Sequence, residues 1–397
     1  MRQGWEEKTL KEITTHLGDG LHGTPKYTID GDYYFVNGNN LIDGKIVFKE
    51  NTKKVSIDQY EKYQKNLTDR SILVSINGTL GNVAFYNNEK IILGKSACYF
   101  NINDKVDKNF IKYNLSSSIF LNYANKEATG ATIKNVSLKS MREYKINIPS
   151  LQEQQSIVTI LDEVFATIDK AKANTEQNLK NTKELFEYHL HKYFTNKEKG
   201  WEEKKLKDVA EYFNGLTYSP KDVSDTGIIV LRSSNIQNDK LDFKDIVRVN
   251  LNVKDKIKVI DGDILMCSRN GSQRLVGKTA KIQSFNEVMT FGTFMMIIRS
   301  EYNPYLSWFF KSSDFKKQIS GGENTMINQV TRYMLDDIIL SFPKIDKQND
   351  IVFKLDALYE QTKKLETVYK KKLQDLEELK KSVLQKAFSG ELTSKSV

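Results

Sequence analysis

A tandem duplication constrains this chain before any other feature does. Gly4–Ile13 reads GWEEKTLKEI and Gly200–Val209 reads GWEEKKLKDV, identical at seven positions. The identities include one of only three tryptophans, so composition alone does not explain the match. Such self-similarity is read before secondary structure, because it sets the number of folding units. The match continues at offsets of 192 to 196 residues, from Trp5 to Trp201 and from Asp69 to Asp261. Asn40 pairs with Asn235, and DRSILVSINGTLGNVAFY from Asp69 pairs with DGDILMCSRNGSQRLVGKTAKI from Asp261. The phrases ending at Pro149 and Pro343 correspond, as do those ending at Phe194 and Phe388.

Each copy has the same internal order. Short apolar runs broken by Gly, Asn and Asp come first, as in YYFVNGNNLIDGKIVF, the pattern of strands and turns. Helical stretches such as NFIKYNLSSSIFLNYANK follow, making each region α+β. A charged segment without Pro or Gly ends each copy, from Leu151 to about Phe194 and from Asp346 to about Phe388. In the second, Leu355, Leu358, Thr362, Leu365, Tyr369, Leu376, Leu379 and Val383 follow alternating spacings of three and four. Lys372 interrupts that seam beside Leu373. In the first, Leu161, Val164, Ile168, Ala171 and Leu185 carry it around a polar centre at Thr175, Asn178 and Thr182. A helix of some 40 residues is roughly 60 Å long and cannot bury its own stripe. Two in one chain bury each other, and equal halves favour an antiparallel coiled coil with a pseudo-twofold. The expected organisation is an α+β domain over 1–150, a helix over 151–197, a second α+β domain over 198–345, a helix over 346–392 and a tail over 393–397.

Chemistry is conspicuous by its lack of motif. GKS at Gly94–Ser96 and GKT at Gly277–Thr279 fall short of a phosphate loop, because Glu89 and Ser272 stand where its first Gly is needed. NPYL at Asn303–Leu306 reads as a helix start with Pro in its first turn. His16, His22, His189 and His191 make no metal-ligand spacing with Cys98 or Cys267, which read as buried free thiols of a reducing compartment. No run is apolar enough to cross a bilayer, and MRQGWEEKTL lacks the apolar core of a signal peptide, so a cytoplasmic location without a membrane partner is expected. The net charge of +9 permits a polyanionic partner.

Four phrases, in order and duplicated, resemble the specificity subunit of type I restriction–modification systems over essentially the whole chain. They are GWEEKTLKEI with its second copy, ILVSINGTLGNVA with ILMCSRNGSQRLVGKTA, GATIKNVSLKSMREYKINIPSLQEQQSIV, and KLQDLEELKKSVLQKAFSGEL. The resemblance implies a non-catalytic subunit that reads a bipartite, asymmetric sequence in double-stranded DNA, one half-site per domain. It implies long helices that act as a ruler and dock adenine-methyltransferase subunits, commonly two, and restriction subunits. S-adenosylmethionine, and ATP with Mg, would sit on those partners and no cofactor on this chain. The second linker phrase departs from the pattern, with Lys347-Gln348 in FPKIDKQNDIVFKL where Pro-X-Leu-X-Glu-Gln is usual. The competing readings are a two-domain protein-binding adaptor and a self-contained methyltransferase.

Base reading needs polar side chains on loops. The first domain offers Lys26, Asn37, Asn39, Asn40, Asn77, Thr79, Thr132 and Lys134. The second offers Ser219, Lys221, Arg232, Ser234, Asn235, Arg269, Asn270, Gln273, Arg274 and Asn324. CSRNGSQRLVGK is the strongest single loop, since Arg suits guanine and Asn or Gln suits adenine. Asn40 and Asn235 occupy matched positions, which equally suits a shared turn.

Overall fold

A computed structural model describes residues 3–195, 199–283, 285–320 and 329–393. The chain forms two compact units, Met1–Glu176 with Lys371–Val397, and Gln177–Lys370. Their borders fall inside the two long helices, Leu151–Thr195 and Ile345–Ser389, so each unit holds a length of both.

Within the first unit, an antiparallel sheet runs in the order Thr14–Asp19, Ala97–Ile102, Ser71–Ser75, Val83–Phe85. Beside it lies a mixed sheet in which Ile91–Leu93 pairs parallel to Tyr33–Val36. The second unit repeats both. Its antiparallel sheet orders Glu211–Asn214, Met295–Arg299, Ile264–Cys267, Thr279–Lys281, and Ile228–Leu231 pairs parallel to Met289–Phe291. Ser71–Ser75 and Ile264–Cys267 are buried throughout, because helices or the second sheet cover both faces.

The repeated decapeptide has a structural task. Its strand Glu6–Thr9 pairs antiparallel with Lys145–Ile148, the last strand before the first long helix. Glu202–Lys205 pairs likewise with Ile339–Phe342 before the second. Each copy thus ties the start of a domain to its end. Trp5 is buried in the first core and Trp201 packs against the second.

The long helices pair antiparallel within each unit. In the first, Lys172 meets Glu377 at 2.7 Å, Asp169 meets Lys380 at 3.5 Å, and Glu153 accepts from Thr393 at 2.7 Å, so one number rises as the other falls. In the second, Phe186 and Tyr359 stand edge to face at 5.6 Å. Both helices dock on their domain through equivalent side chains. Phe388 meets Phe110 in the first unit as Phe194 meets Tyr305 in the second, at 5.1 and 5.2 Å. Tyr113 donates to Asp162, and Trp308 Nε1 donates to Asp356 at 2.9 Å. Gln154 Nε2 donates to the carbonyl of Pro149 and Gln348 Nε2 to that of Pro343, both at 2.8 Å. The Lys347-Gln348 departure therefore keeps the glutamine's contact with the chain before the helix.

The seam differs from the expected heptads at three places. Leu161, Ile168 and Leu355 are buried, and Val164, Leu358, Tyr369, Leu376 and Val383 are half-buried. Leu185, Leu365 and Leu379 instead stand about half exposed, at 53%, 43% and 48%. Their neighbours Phe186 and Glu366 are buried and Lys380 is half-buried, with Phe186 reaching Tyr359 and Lys380 reaching Asp169 on the other long helix. An undistorted α-helix drifts by about 20° per heptad, so a strict seven-residue reading slips off the buried face. The covered positions recur at eleven residues instead, as in Ile157, Ile168, Leu179, Leu190 and in Ile351, Thr362, Leu373, Leu384.

Candidate nucleic-acid interface

In each unit four loops meet at one end of the antiparallel sheet, held by the same backbone bonds. In the first unit the amides of Ile76 and Asn77 donate to the carbonyl of Ser96 at 2.9 and 3.3 Å. Val136 N donates to Ile76 O at 2.8 Å, and Gly78 N to Lys134 O at 2.9 Å. In the second, the amides of Ser268 and Arg269 donate to the carbonyl of Phe294 at 2.9 and 3.1 Å, and Val330 N donates to Ser268 O at 2.7 Å. Bridges Asn77–Asn135 and Arg269–Gln329 add the same rung to both. The fourth loop is the short 3-10 turn Gly38–Asn40 or Ser233–Asn235. It joins through Gly38 N donating to Ser96 Oγ at 2.8 Å, and through Asn270 Nδ2 donating to Ser233 Oγ at 3.0 Å.

The matched asparagines brace this cluster from inside. Asn40 and Asn235 are 5% and 1% exposed. Asn40 Oδ1 accepts from the amide of Asn37, and its Nδ2 donates to Val47 O. Asn235 Oδ1 accepts from the amide of Arg232, and its Nδ2 donates to the carbonyls of Asp242 and Asp245. Between those contacts runs a tight hairpin whose turn residues, Asp43-Gly44 or Asn238-Asp239, both have positive φ. That is the geometry of a primed turn, and buried amide bonds fix it in place. Both asparagines hold a shared turn and face no solvent.

Other candidates are similarly committed. Asn37 Oδ1 accepts from Ser96 Oγ at 3.0 Å. The guanidinium of Arg232 binds Asp245 at 2.7 Å. Ser219 caps the turn Pro220–Asp222 by donating to Asp222. Ser219 and exposed Lys221 precede the edge strand Val223–Ser224, as exposed Lys26 precedes Tyr27–Thr28. These three lie at a sheet edge, not in the loop cluster. Ser234 is half-buried beside the brace, and Asn324 lies outside the described residues.

The remaining candidates converge on the cluster surface. In the first unit Asn77 Nδ2 donates to Asn135 Oδ1 at 3.2 Å, while Thr79, Thr132 and Lys134 are exposed. Lys134 also reaches Asn125 at 2.6 Å. Asn39 is exposed and its carbonyl accepts from Lys49. In the second unit Arg269, Gln273 and Arg274 are exposed, and Asn270 is half-buried by its bond to Ser233. Arg269 has no acidic partner among the described residues, and its guanidinium lies 5.8 Å from the ring of Phe294. Phe294 is 57% exposed and escaped the sequence reading. The signal in the sequence is the alignment of FGTF with LGKS, which puts a Phe where the first copy has Ser96.

Arg274 lines a cleft of about 640 Å³ in the second unit. Lys311 stands in it 3.5 Å from Asp239 and over the rings of Trp308 and Tyr359. Burial holds its ammonium below the usual lysine range, against the pull of Asp239. Tyr359 donates to the same carboxylate, so this group ties the hairpin to the second long helix. Among the described residues there is no cluster of His, Cys, Asp and Glu able to hold a metal, and no helix long and apolar enough to cross a membrane.

The family described as "Type I restriction modification DNA specificity domain" matches the chain twice, over residues 2–181 and 198–377. The chain is 25% identical to the EcoKI specificity subunit of Escherichia coli K12, over 99% of this chain and 90% of that protein. It is 24% identical to the StySPI specificity subunit of Salmonella potsdam, with the same coverage. The HsdS subunit from Thermoanaerobacter tengcongensis shares the fold at a TM-score of 0.63 and 17% identity, over 98% of both chains. A chain from a structure on complex assembly and conformational transition of the type I R-M system superposes at 0.77, again 17% identical, over 98% of this chain and 99% of that one. With both halves matched and each half built on the same brace, the chain belongs to the type I restriction–modification specificity family.

Proposed function

We propose that this chain is the sequence-reading subunit of a type I restriction–modification complex. It reads a bipartite, asymmetric target in double-stranded DNA, one half-site per unit. The observation that carries the reading is the pair of four-loop clusters. Their backbone bonds and buried asparagines repeat, while the side chains they expose do not. A repeated frame with divergent tips suits two readers of different sequences. Phosphate contacts set register, and base-edge contacts supply the choice.

The chain is a specificity subunit and not an enzyme; methyl transfer and cleavage belong to partner subunits. The faces of the long helices outside the seam would dock the adenine-methyltransferase subunits, and restriction subunits where the cell has them. S-adenosylmethionine, and ATP with Mg, would be held by those partners, and the complex would act in the cytoplasm.

The test is co-expression with a methyltransferase subunit of the same system, followed by genome-wide mapping of methylated adenines. A split consensus with a fixed spacer is the expected result. Methylation without a split consensus, or a complex that ignores DNA sequence, returns the chain to the adaptor reading.

A further inference from the structure

The two loop clusters differ in the residue exposed at one matched turn. In the first unit the turn Gly94–Ala97 carries Ser96, whose hydroxyl points inward, accepting from Gly38 N and donating to Asn37. In the second the turn Gly292–Met295 closes by the same bond, from Met295 N to Gly292 O at 2.8 Å. Phe294 replaces Ser96 there. Its inward partner position is filled by Arg232, which is held by Asp245. Phe294 therefore turns outward and leaves more than half its surface in water. Exposing a phenyl ring at a rigid turn contributes nothing to folding, because apolar area gains only when it leaves water. Its carbonyl nevertheless binds the amide of Arg269, and its ring carries the Arg269 guanidinium at 5.8 Å. A guanidinium over an aromatic face is attracted by the ring and loses less freedom when it later makes bonds.

We propose that Arg269 and Phe294 form a two-residue reader in which Arg269 addresses guanine and Phe294 packs on the C5-methyl group of a nearby thymine. The inference rests on the DNA-reading function above and assigns part of its specificity. The chemistry follows from what the major groove presents. Guanine offers the O6 and N7 acceptors that a planar guanidinium matches with two bonds, and thymine alone among the four bases offers a methyl group. Both reading groups project from loops pinned to each other by backbone bonds, so their relative position is set before DNA arrives. The first unit has no such pair: Asn77 stands at the place of Arg269 and is bonded to Asn135. The thymine preference is therefore specific to the half-site of the second unit.

The experiment uses the complex of this chain with its methyltransferase subunit and a duplex carrying the mapped target. Each thymine in both half-sites is replaced in turn by deoxyuridine, which removes only the methyl group. One thymine, in one half-site, is expected to lose about three- to fivefold in affinity, the worth of burying one methyl-sized group. Phe294→Ser, which copies the first unit, is expected to bind thymine and deoxyuridine duplexes equally. Phe294→Leu is expected to keep the difference, since the contact needs apolar surface. Arg269→Ala is expected to relax a guanine in the same half-site. Equal binding of all deoxyuridine duplexes by the native complex overturns the inference and leaves the DNA-reading function standing. A methyl effect that survives Phe294→Ser does the same. Failure to find any split consensus overturns both.

Discussion

At the residue scale, the two units solve one cross-strand problem in two ways. In the first, buried Ser71 donates to Asn101 at 2.6 Å. In the second, the same ladder position holds Asp263 and Arg299, bonded at 2.8 and 2.7 Å. Asp263 is 1% exposed, and its Oδ2 also accepts from Ile260 N. Removing one member of a buried pair strands the other, which costs more than the pair is worth. Asp263→Ser alone is expected to destabilise by about 3 kcal/mol, at the lower end because Arg299 is partly exposed. Adding Arg299→Asn, which installs the first unit's solution, is expected to recover most of it. A urea-denaturation cycle on the four proteins checks this, and additive losses would refute it. The sequence shows the alignment of these positions but not their burial. The same gap explains why Asn40 and Asn235 stood among the base readers: matched residues serve a shared turn as well as a shared ligand, and only their bonds decide. Burial also gives a pH signature. It pushes the Cys98 thiol up from 9.0 to about 12. It likewise holds the Tyr113, Tyr144, Tyr212, Tyr305 and Tyr359 phenols above their usual range. A folded-state value above the unfolded one means stability is fully present below the unfolded value and lost as pH rises through the folded one. For Cys98 that window opens at 9.0 and closes near 12, at up to about 1.4 kcal/mol per pH unit. Unfolding free energies measured at pH 8 and pH 10.5 should fall between the two, and a flat profile would contradict the assignment.

At the element scale, helix existence was legible and helix facing was not. Long segments free of Pro and Gly announce continuous helices. Which residues face the partner depends on whether the repeat is seven or eleven, and over a 45-residue helix the two readings drift apart by about two positions. Thr362, which the heptad reading included, is buried, but Leu365 and Leu379 are not, and the buried face takes Glu366 in place of Leu365. Energetics should follow the faces. Phe194→Ala and Phe388→Ala each remove a buried ring from a docking contact and are expected to cost about 3–5 kcal/mol. Leu365→Lys and Leu379→Lys are expected to stay within about 0.5 kcal/mol of the native chain. Thermal unfolding of the four variants separates the two readings. A large loss from either leucine would restore the heptad seam.

At the scale of the whole molecule, the duplication was the most legible property, because the two cores and the two docking contacts obey the same offset as the sequence. Base choice was least legible. It depends on which loop tips are released from internal bonds, and those bonds join residues well separated in sequence, 13 positions for Arg232 with Asp245 and 58 for Asn77 with Asn135. Two independent frames also predict two independent readers. Lys134 is exposed on the first cluster and has the chemistry of a phosphate contact, whereas Arg269 has that of a base reader. Arg269→Ala is expected to weaken target binding by about 1–3 kcal/mol and broaden one position of one half-site. Lys134→Ala is expected to weaken all sequences alike and to reduce by about one the slope of log affinity against log salt. Methylation mapping for the first variant and salt titration for the second read these outcomes directly. Broadening of both half-sites by Arg269→Ala would mean that the units do not read independently. The duplication would then be a scaffold for one composite site, and the divergence of the loop tips would need another cause.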